Sequence, residues 1–252
     1  MKRFFFSLAI LAVLGVVFAC SSSTTTPAGP GAEAGAGDDA GTTPEAGGGT
    51  QCTAARNTLL KPINKVSTGQ VKIVKDEASV LTLYVDATAG GGNLASTNPR
   101  VYLDLSGQRI DVNDTEAFTS MDWDLALKRT LIYTNSGDTG IGAGKAAMLS
   151  KAFDAVTAAD ADAAALKPEK LLDDECKEIL DKNAVNPNTT FADWYNYENT
   201  VATPQTGVTY VVVGGKGKRY KVSIESYTGK PDGTTNPPNV GTGAFLLKVA
   251  PL

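Results

Sequence analysis

The segment from Met121 to Ala147 constrains the fold of this 252-residue chain more than any other part of its sequence. It contains Trp123, one of only two tryptophans, and an apolar-rich run that ends at Tyr133. Asn135-Ser136-Gly137 then predicts a turn, with Gly137 in the left-handed φ region. Three glycines follow at every second position: Gly140, Gly142 and Gly144. Because side chains alternate in direction along an extended chain, these glycines would leave one face bare, and a backbone, an aromatic ring or a flat ligand could lie against it.

The first 20 residues are typical of a bacterial export signal. Lys2 and Arg3 precede the apolar run 4–18, which is too short for a comfortable membrane span. Val17-Phe18-Ala19-Cys20 resembles a lipobox, which predicts that Cys20 is lipidated and becomes the mature N-terminus. An ordinary secretory signal, cleaved nearby, is the alternative. We therefore expect an exported, lipid-anchored protein at the outer membrane or the cell surface.

Residues 21–51 form a low-complexity segment of Ser, Thr, Pro, Ala, Gly and a few acidic residues. The segment has no aromatic or branched aliphatic side chain to bury, so we expect a disordered tether that reaches roughly 30 Å. Residues 52–252 are enough for a single domain with a hydrophobic core. Acidic residues outnumber basic ones, which argues against a nucleic-acid or anionic-lipid surface and leaves the lipid anchor as the membrane contact.

Cysteine and histidine content limits the possible chemistry. If Cys20 is lipidated, Cys52 and Cys176 remain, and in an exported protein they predict a disulfide, with two free thiols as the alternative. The sequence contains no His, which excludes Ser-His-Asp and Cys-His catalysis and His-ligated zinc or iron sites. Asp122 and Asp124 flank Trp123, a pattern more typical of solvated positions than of a catalytic pair. We predict that the protein is not an enzyme.

Short segments of alternating hydrophobicity predict a mainly β domain of two antiparallel sheets. Hairpins are predicted around Ser106-Gly107 and around the Gly/Lys turn between residues 213 and 220. The other predicted strands are 71–73, 80–85, 191–197 and 244–249. In the segment 158–182 the pattern changes to one typical of helix, and Pro168 divides it into two pieces, about 158–166 and 169–182. The predicted fold is therefore a β domain with a helical insertion.

The run from Trp123 to Tyr133 is predicted to be a strand. We expect Leu125, Leu127, Leu131 and Tyr133 to share one face. A one-turn helix over residues 124–128 is the alternative.

Two separated patches of the sequence resemble the HmuY family. The first is Trp123-Asp124-Leu125-Ala126-Leu127, followed by Asn135-Ser136-Gly137 and the spaced glycines. The second is Tyr210-Val211-Val212-Val213, a Gly/Lys turn, and the segment Tyr220 to Tyr227. The resemblance is clearest over 101–156 and 194–227. It implies a bacterial surface or secreted lipoprotein of mostly β fold, in a family whose studied members bind haem.

The resemblance also implies where a haem ligand would lie. Members of this family hold the iron between two axial side chains, His in some and Met in others, on loops beside the strand that starts at the second Trp. In this sequence that strand starts at Trp194, which puts Asn199 at one ligand position, although Asn does not ligate haem iron. The other ligand loop is replaced by the predicted insertion. Met and Tyr both ligate haem in other proteins, so the candidate substitutes are Met121, Met148, Tyr195 and Tyr197.

Each candidate also has a structural interpretation. Met148 follows the glycine-rich segment in an apolar setting and is expected in the core. A strand alternates its side chains between two faces, so some of the aromatic residues Trp194, Tyr195 and Tyr197 must lie in the core. The others would be free to stack on a porphyrin.

We therefore predict a HmuY-like, non-enzymatic surface lipoprotein that binds haem or a related tetrapyrrole. The alternatives are a surface interaction module that kept the fold and lost the ligand, and an extracellular carbohydrate or peptide binder. The sequence defines neither a metal site nor a protein partner.

Overall fold

The computed structural model describes residues 52–90 and 97–252 of the chain. The predicted export signal, the lipidation site at Cys20 and the tether 21–51 lie outside the described residues. In the described ranges, no helix combines the length and apolar character needed to cross a membrane.

The described residues form short helices and twelve strands. The α-helices are α1 (Thr53–Leu60), α2 (Asp114–Ala117) and α3 (Ala158–Ala163), and 3-10 turns cover Ala87–Gly90 and Phe153–Ala155. The strands are β1 (Val71–Glu77), β2 (Val80–Asp86), β3 (Val101–Leu103), β4 (Arg109–Ile110), β5 (Leu125–Lys128), β6 (Leu131–Thr134), β7 (Lys145–Leu149), β8 (Tyr195–Glu198), β9 (Val201–Pro204), β10 (Thr209–Val213), β11 (Arg219–Ser226) and β12 (Ala244–Pro251).

The strands form two antiparallel sheets and one separate hairpin. The larger sheet has the order β1-β2-β12-β11-β10-β7, and the smaller one has the order β4-β3-β5-β6. The remaining pair, β8 and β9, forms a two-stranded hairpin. The predicted mainly β fold with antiparallel sheets is confirmed.

The main core lies between the two sheets. Leu83, Phe245 and Leu247 of the larger sheet belong to the same buried cluster as Leu103 and Leu127 of the smaller sheet. All five side chains are at most 1% exposed. This packing gives the two-layer arrangement in which each sheet buries one apolar face.

A second core covers the outer face of the smaller sheet. Its buried side chains come from α1, α2, β3, β5, β6, the segment before β5 and the insertion: Leu60, Ala117, Tyr102, Ala126, Tyr133, Trp123 and Leu171. The disulfide between Cys52 and Cys176 joins the start of α1 to the insertion, with the Cα atoms 5.3 Å apart, which confirms the predicted pairing. In the chain-entropy model, a link across 124 residues stabilises the fold by up to about 5 kcal/mol.

The predicted strand 123–133 is instead a hairpin of β5 and β6. The chain reverses at Arg129, which has a φ of 52°, and Leu127 lies opposite Ile132. Leu125, Leu127 and Ile132 therefore face the main core, whereas Tyr133 faces the second core and Leu131 packs against it. The expectation that Leu131 and Tyr133 share a face with Leu125 and Leu127 is wrong, because the turn shifts the alternation by one residue.

The second predicted helix of the insertion, 169–182, does not form. The amide groups of Leu171 and Leu172 donate to the Asp138 carboxylate, at 2.6 and 3.1 Å. Further along, the Asp173 carboxylate accepts two backbone N–H groups, and Cys176 has a φ of 63°. The Asp173 carboxylate has thus taken two N–H groups that a helix would donate to its own carbonyl oxygens. The first predicted piece does form a helix, but it ends at Ala163 rather than at residue 166.

Candidate functional site

The three spaced glycines of the family signature pack against Asn135. They do not form a strand with an open face. A Cβ atom on Gly140 would lie 2.1 Å from the Asn135 Oδ1, and one on Gly142 or Gly144 would lie 2.7 or 2.5 Å from the Asn135 carbonyl oxygen. Any larger side chain would collide with Asn135. The feature that lies against the bare glycines is therefore the protein's own chain.

Asn135 holds three segments together through its side-chain amide. Its Nδ2 donates to the carbonyl oxygens of Ser120 and Trp123, both at 2.9 Å, and its Oδ1 accepts the Gly142 N–H at 3.0 Å. Asn135 is completely buried. Within this environment the Trp123 indole donates to the Ala117 carbonyl oxygen at 2.9 Å. The structure thus gives the signature residues an intramolecular role.

Asp122 and Asp124 make separate contacts and do not act as a pair. Asp122 is exposed and forms an ion pair with Lys216 at 2.7 Å, which lowers the pKa of Asp122. Asp124 is buried, and its carboxylate accepts the N–H groups of Leu105 and Gly215, at 2.8 and 2.9 Å. Burial raises the pKa of Asp124 despite these hydrogen bonds. The expectation that both aspartates are solvated is wrong for Asp124, because it joins the turn after β3 to the turn after β10.

Glu169 fastens the insertion to β6, a role that no sequence motif signalled. Its carboxylate accepts hydrogen bonds from the backbone N–H and the hydroxyl of both Thr134 and Thr190, at 2.8–3.2 Å. Its own N–H donates to the Ser136 Oγ at 3.0 Å. Gly137 adopts the predicted positive φ, 50°, and a Cβ there would lie 2.0 Å from the Glu169 carbonyl oxygen. Glu169 is 2% exposed, and burial raises its pKa.

The aromatic segment after the insertion forms a strand only from Tyr195, not from Phe191 as predicted. Trp194 belongs to the main core, is 2% exposed, and donates from its indole to the Thr130 carbonyl oxygen at 2.8 Å. Phe191 is also buried and stacks on Tyr210, with a centroid distance of 4.2 Å. These two side chains fix the base of the β8–β9 hairpin to the core.

An aromatic series extends from this base into solvent. The ring centroids of Trp194 and Tyr195 are 4.6 Å apart, and those of Tyr195 and Tyr197 are 6.4 Å apart with nearly perpendicular planes. Tyr195 is partly buried, whereas Tyr197 is 65% exposed. Asn199 and Thr200 form the exposed hairpin tip, both with positive φ. The hairpin therefore brings Tyr195, Tyr197 and Asn199 together.

The insertion forms one wall beside Tyr195. A small cavity lies between Tyr195, Thr130 of the β5–β6 turn, Asp181 of the insertion, and Pro187 of the loop that follows the insertion. It has room for about one water molecule. Lys182 of the insertion pairs with Asp193, two residues before Tyr195, at 2.9 Å.

The two methionine candidates lie on other elements. Met148 is on the edge strand β7, opposite Tyr210, and is 43% exposed, so its expected position in the core is wrong. Met121 precedes Trp123 and is 45% exposed. In the ranges 52–90 and 97–252, no group of three or more Cys, Asp and Glu side chains is placed to hold a metal ion.

Comparison with known proteins gives one family match. A family model described as HmuY protein matches residues 96–240, more than half of the chain. In a comparison with curated protein sequences, no sequence matches this chain.

Several solved structures are similar to this one at low sequence identity. One is a HmuY-like heme binding protein from Bacteroides vulgatus, at 17% identity over 73% of this chain and 99% of that chain, with a TM-score of 0.44. A lipoprotein from Bacteroides fragilis is 16% identical over 71% of this chain and 95% of its own, with a TM-score of 0.42. An apo HmuY analog from Tannerella forsythia is 16% identical over 74% of this chain and 99% of its own, with a TM-score of 0.41. The family assignment rests on the family model, whose matched range includes both the Asn135 signature and the β8–β9 hairpin: this chain belongs to the HmuY family.

Proposed function

We propose that this protein is a surface-anchored lipoprotein that binds haem, or a related flat tetrapyrrole, on its β8–β9 hairpin and performs no chemical step on it. The observation that carries the proposal is the tyrosine pair on this hairpin, with Tyr197 65% exposed and Tyr195 in ring contact with it. Membership of the HmuY family supports the ligand class.

An exposed tyrosine pair suits a flat aromatic ligand. Tyr195 is held by the buried Trp194 ring, so it offers part of a fixed surface, while Tyr197 presents most of its side chain to solvent. Aromatic rings bind other aromatic rings through offset or edge-to-face packing. Phenol oxygen is also a known haem-iron donor. Tyr197 therefore fits both roles, whereas the Asn199 side chain supplies no iron ligand.

The anchor would present this hairpin at the cell surface. Lipidation of Cys20 followed by a tether of about 31 residues would hold the domain roughly 30 Å from the membrane. We place the protein at the outer membrane, with the lipid as its membrane contact.

A haemin titration of the full chain tests the proposed ligand. We expect a saturable one-to-one shift of the Soret band, weakened about tenfold by Tyr197→Ala because the variant loses aromatic packing. Asn196→Ala is the matched control, since Asn196 is exposed on the opposite face of the same strand. Tyr197→Phe keeps the ring and removes the phenol, so an altered Soret position in that variant would assign iron ligation to Tyr197. A shift no larger than that of an unrelated acidic protein would refute haem binding.

A second candidate function is a surface interaction module that no longer binds haem. One observation favours it: Asn199 occupies the ligand position that the family resemblance implies, in a chain without His. This candidate predicts that the protein leaves the Soret band of haemin unchanged, and that haemin leaves the thermal stability of the protein unchanged.

A further inference from the structure

The insertion lies next to the proposed ligand surface on the β8–β9 hairpin, because it helps to form the cavity beside Tyr195. Asp181, Asn186 and Pro187 line the cavity whose other side is formed by Tyr195. Leu180 pairs with Pro187 through a backbone bridge. The end of the insertion and the loop that follows it therefore lie against Tyr195.

The end of the insertion and the following loop each expose an apolar side chain. Leu180 is 38% exposed and Val185 is 72% exposed. Around Tyr195 itself, the cavity lining includes the apolar residues Leu131, Pro187 and Ala192. Such a surface suits a ligand with a flat apolar body.

Lys182 is the cation next to Asp181, which lines the cavity beside Tyr195. The Lys182 Nζ is 2.9 Å from Asp193 Oδ1, and both side chains are largely open to solvent, at 63% and 49% exposure. The Asp193 carboxylate raises the pKa of Lys182, and the Asp181 carboxylate and the Tyr195 hydroxyl act in the same direction. Exposed ion pairs are weak, so a second carboxylate can take the place of Asp193.

We propose that Lys182 binds a carboxylate of the ligand that packs on Tyr195 and Tyr197, and that it thereby selects flat aromatic ligands with acidic substituents. This inference rests on the proposed function and names the substituent that the same site recognises. The chain carries a net charge of −4, which disfavours an acidic ligand, and Lys182 supplies a local cation next to Asp181 of the Tyr195 cavity.

The test compares haemin, which carries two carboxylates, with its dimethyl ester, which carries none. Lys182→Met is expected to weaken haemin binding about two- to fivefold, the effect of one exposed ion pair, and to leave ester binding unchanged. Lys170→Met is the matched control, because Lys170 is an exposed lysine of the same insertion that pairs with Asp174 at 3.0 Å. It should change neither affinity.

A second variant tests the exchange of partners. Asp193→Asn removes the competing carboxylate but keeps the backbone carbonyl that accepts the Gln205 side chain. We expect it to tighten haemin binding about two- to fivefold, without tightening ester binding. Thermal unfolding of each variant checks that the fold is retained.

The outcomes separate this inference from the proposed function. If haemin binds and Lys182→Met weakens haemin and ester equally, or neither, the carboxylate contact is wrong while haem binding stands. If neither compound binds the unsubstituted protein, the proposed function fails and the Lys182 contact fails with it.

Discussion

The Asn135 signature and the β8–β9 hairpin use their polar and aromatic side chains in opposite ways. In the signature, the Asn135 amide contacts Ser120, Trp123 and Gly142, and the residue is completely buried. In the hairpin, Asn196, Tyr197 and Asn199 all face solvent. The side chain of Asn135 has its hydrogen-bond partners inside the protein, whereas the side chains of the hairpin are free to contact a ligand.

This difference separates family membership from ligand recognition. The residues that carry the sequence resemblance, such as Trp123, Asp124 and Asn135, form the internal scaffold. The residues proposed to contact a ligand lie on the hairpin and the insertion, at Tyr195, Tyr197 and Lys182. A chain can therefore keep the signature while its ligand-contacting residues change.

The largest expected effect comes from removing the buried amide of the signature. Asn135→Ala leaves two carbonyl oxygens and the Gly142 N–H without their partner, and should lower the free energy of unfolding by about 3–5 kcal/mol. The matched substitution in the hairpin, Asn196→Ala, should change it by less than about 0.5 kcal/mol. Urea unfolding followed by tryptophan fluorescence measures both. Similar losses in the two variants would remove the contrast between the regions.

An intermediate effect is expected from Glu169, next to the signature, and it depends on pH. Burial raises the pKa of this carboxyl in the folded protein, so the folded state binds more protons than the unfolded state between the ordinary and the raised pKa. The stabilisation from protonation is complete below the ordinary glutamate pKa and is lost as pH rises through the folded value. Glu169→Gln removes this term.

The Glu169 contribution is measured by comparing how the unfolding free energy depends on pH in the unsubstituted protein and in Glu169→Gln. Above the ordinary glutamate pKa, the unfolding free energy of the unsubstituted protein should fall more steeply with pH than that of Glu169→Gln, by at most about 1.4 kcal/mol per pH unit. Asp124, whose pKa is also raised, contributes equally to both profiles and cancels in their difference. Parallel profiles would show that Glu169 does not titrate differently in the two states.

The smallest expected effect is on the stability of the hairpin itself. Tyr197→Ala should change the free energy of unfolding by less than about 0.5 kcal/mol, because the ring is 65% exposed. Chemical denaturation is again the measurement. A loss above about 1 kcal/mol would mean that Tyr197 is part of the core, and the loss of haemin binding in this variant would then have a structural cause.

Local patterns predicted the mainly β fold, the β10–β11 hairpin and the disulfide, but not the turn inside 123–133 or the start of β8 at Tyr195. The alternation in residues 209–227 predicted the hairpin of β10 and β11, because one of its faces packs into the main core. The Cys52–Cys176 pair followed from cysteine count and compartment. The helical pattern of 169–182 failed because the distant Asp138 carboxylate accepts the Leu171 and Leu172 N–H groups. The local Asp173 carboxylate also accepts two N–H groups of this segment.

The sequence by itself determined the mainly β fold, the family and the residues of its signature, since hydrophobic alternation and spaced glycines are local properties of the chain. Only the tertiary structure decided what those glycines contact, that Asp124 and Glu169 are buried, and that Lys182 pairs with Asp193. These depend on segments tens of residues apart, such as Glu169 with Thr134, and burial with its hydrogen-bond partners arises only when the chain folds.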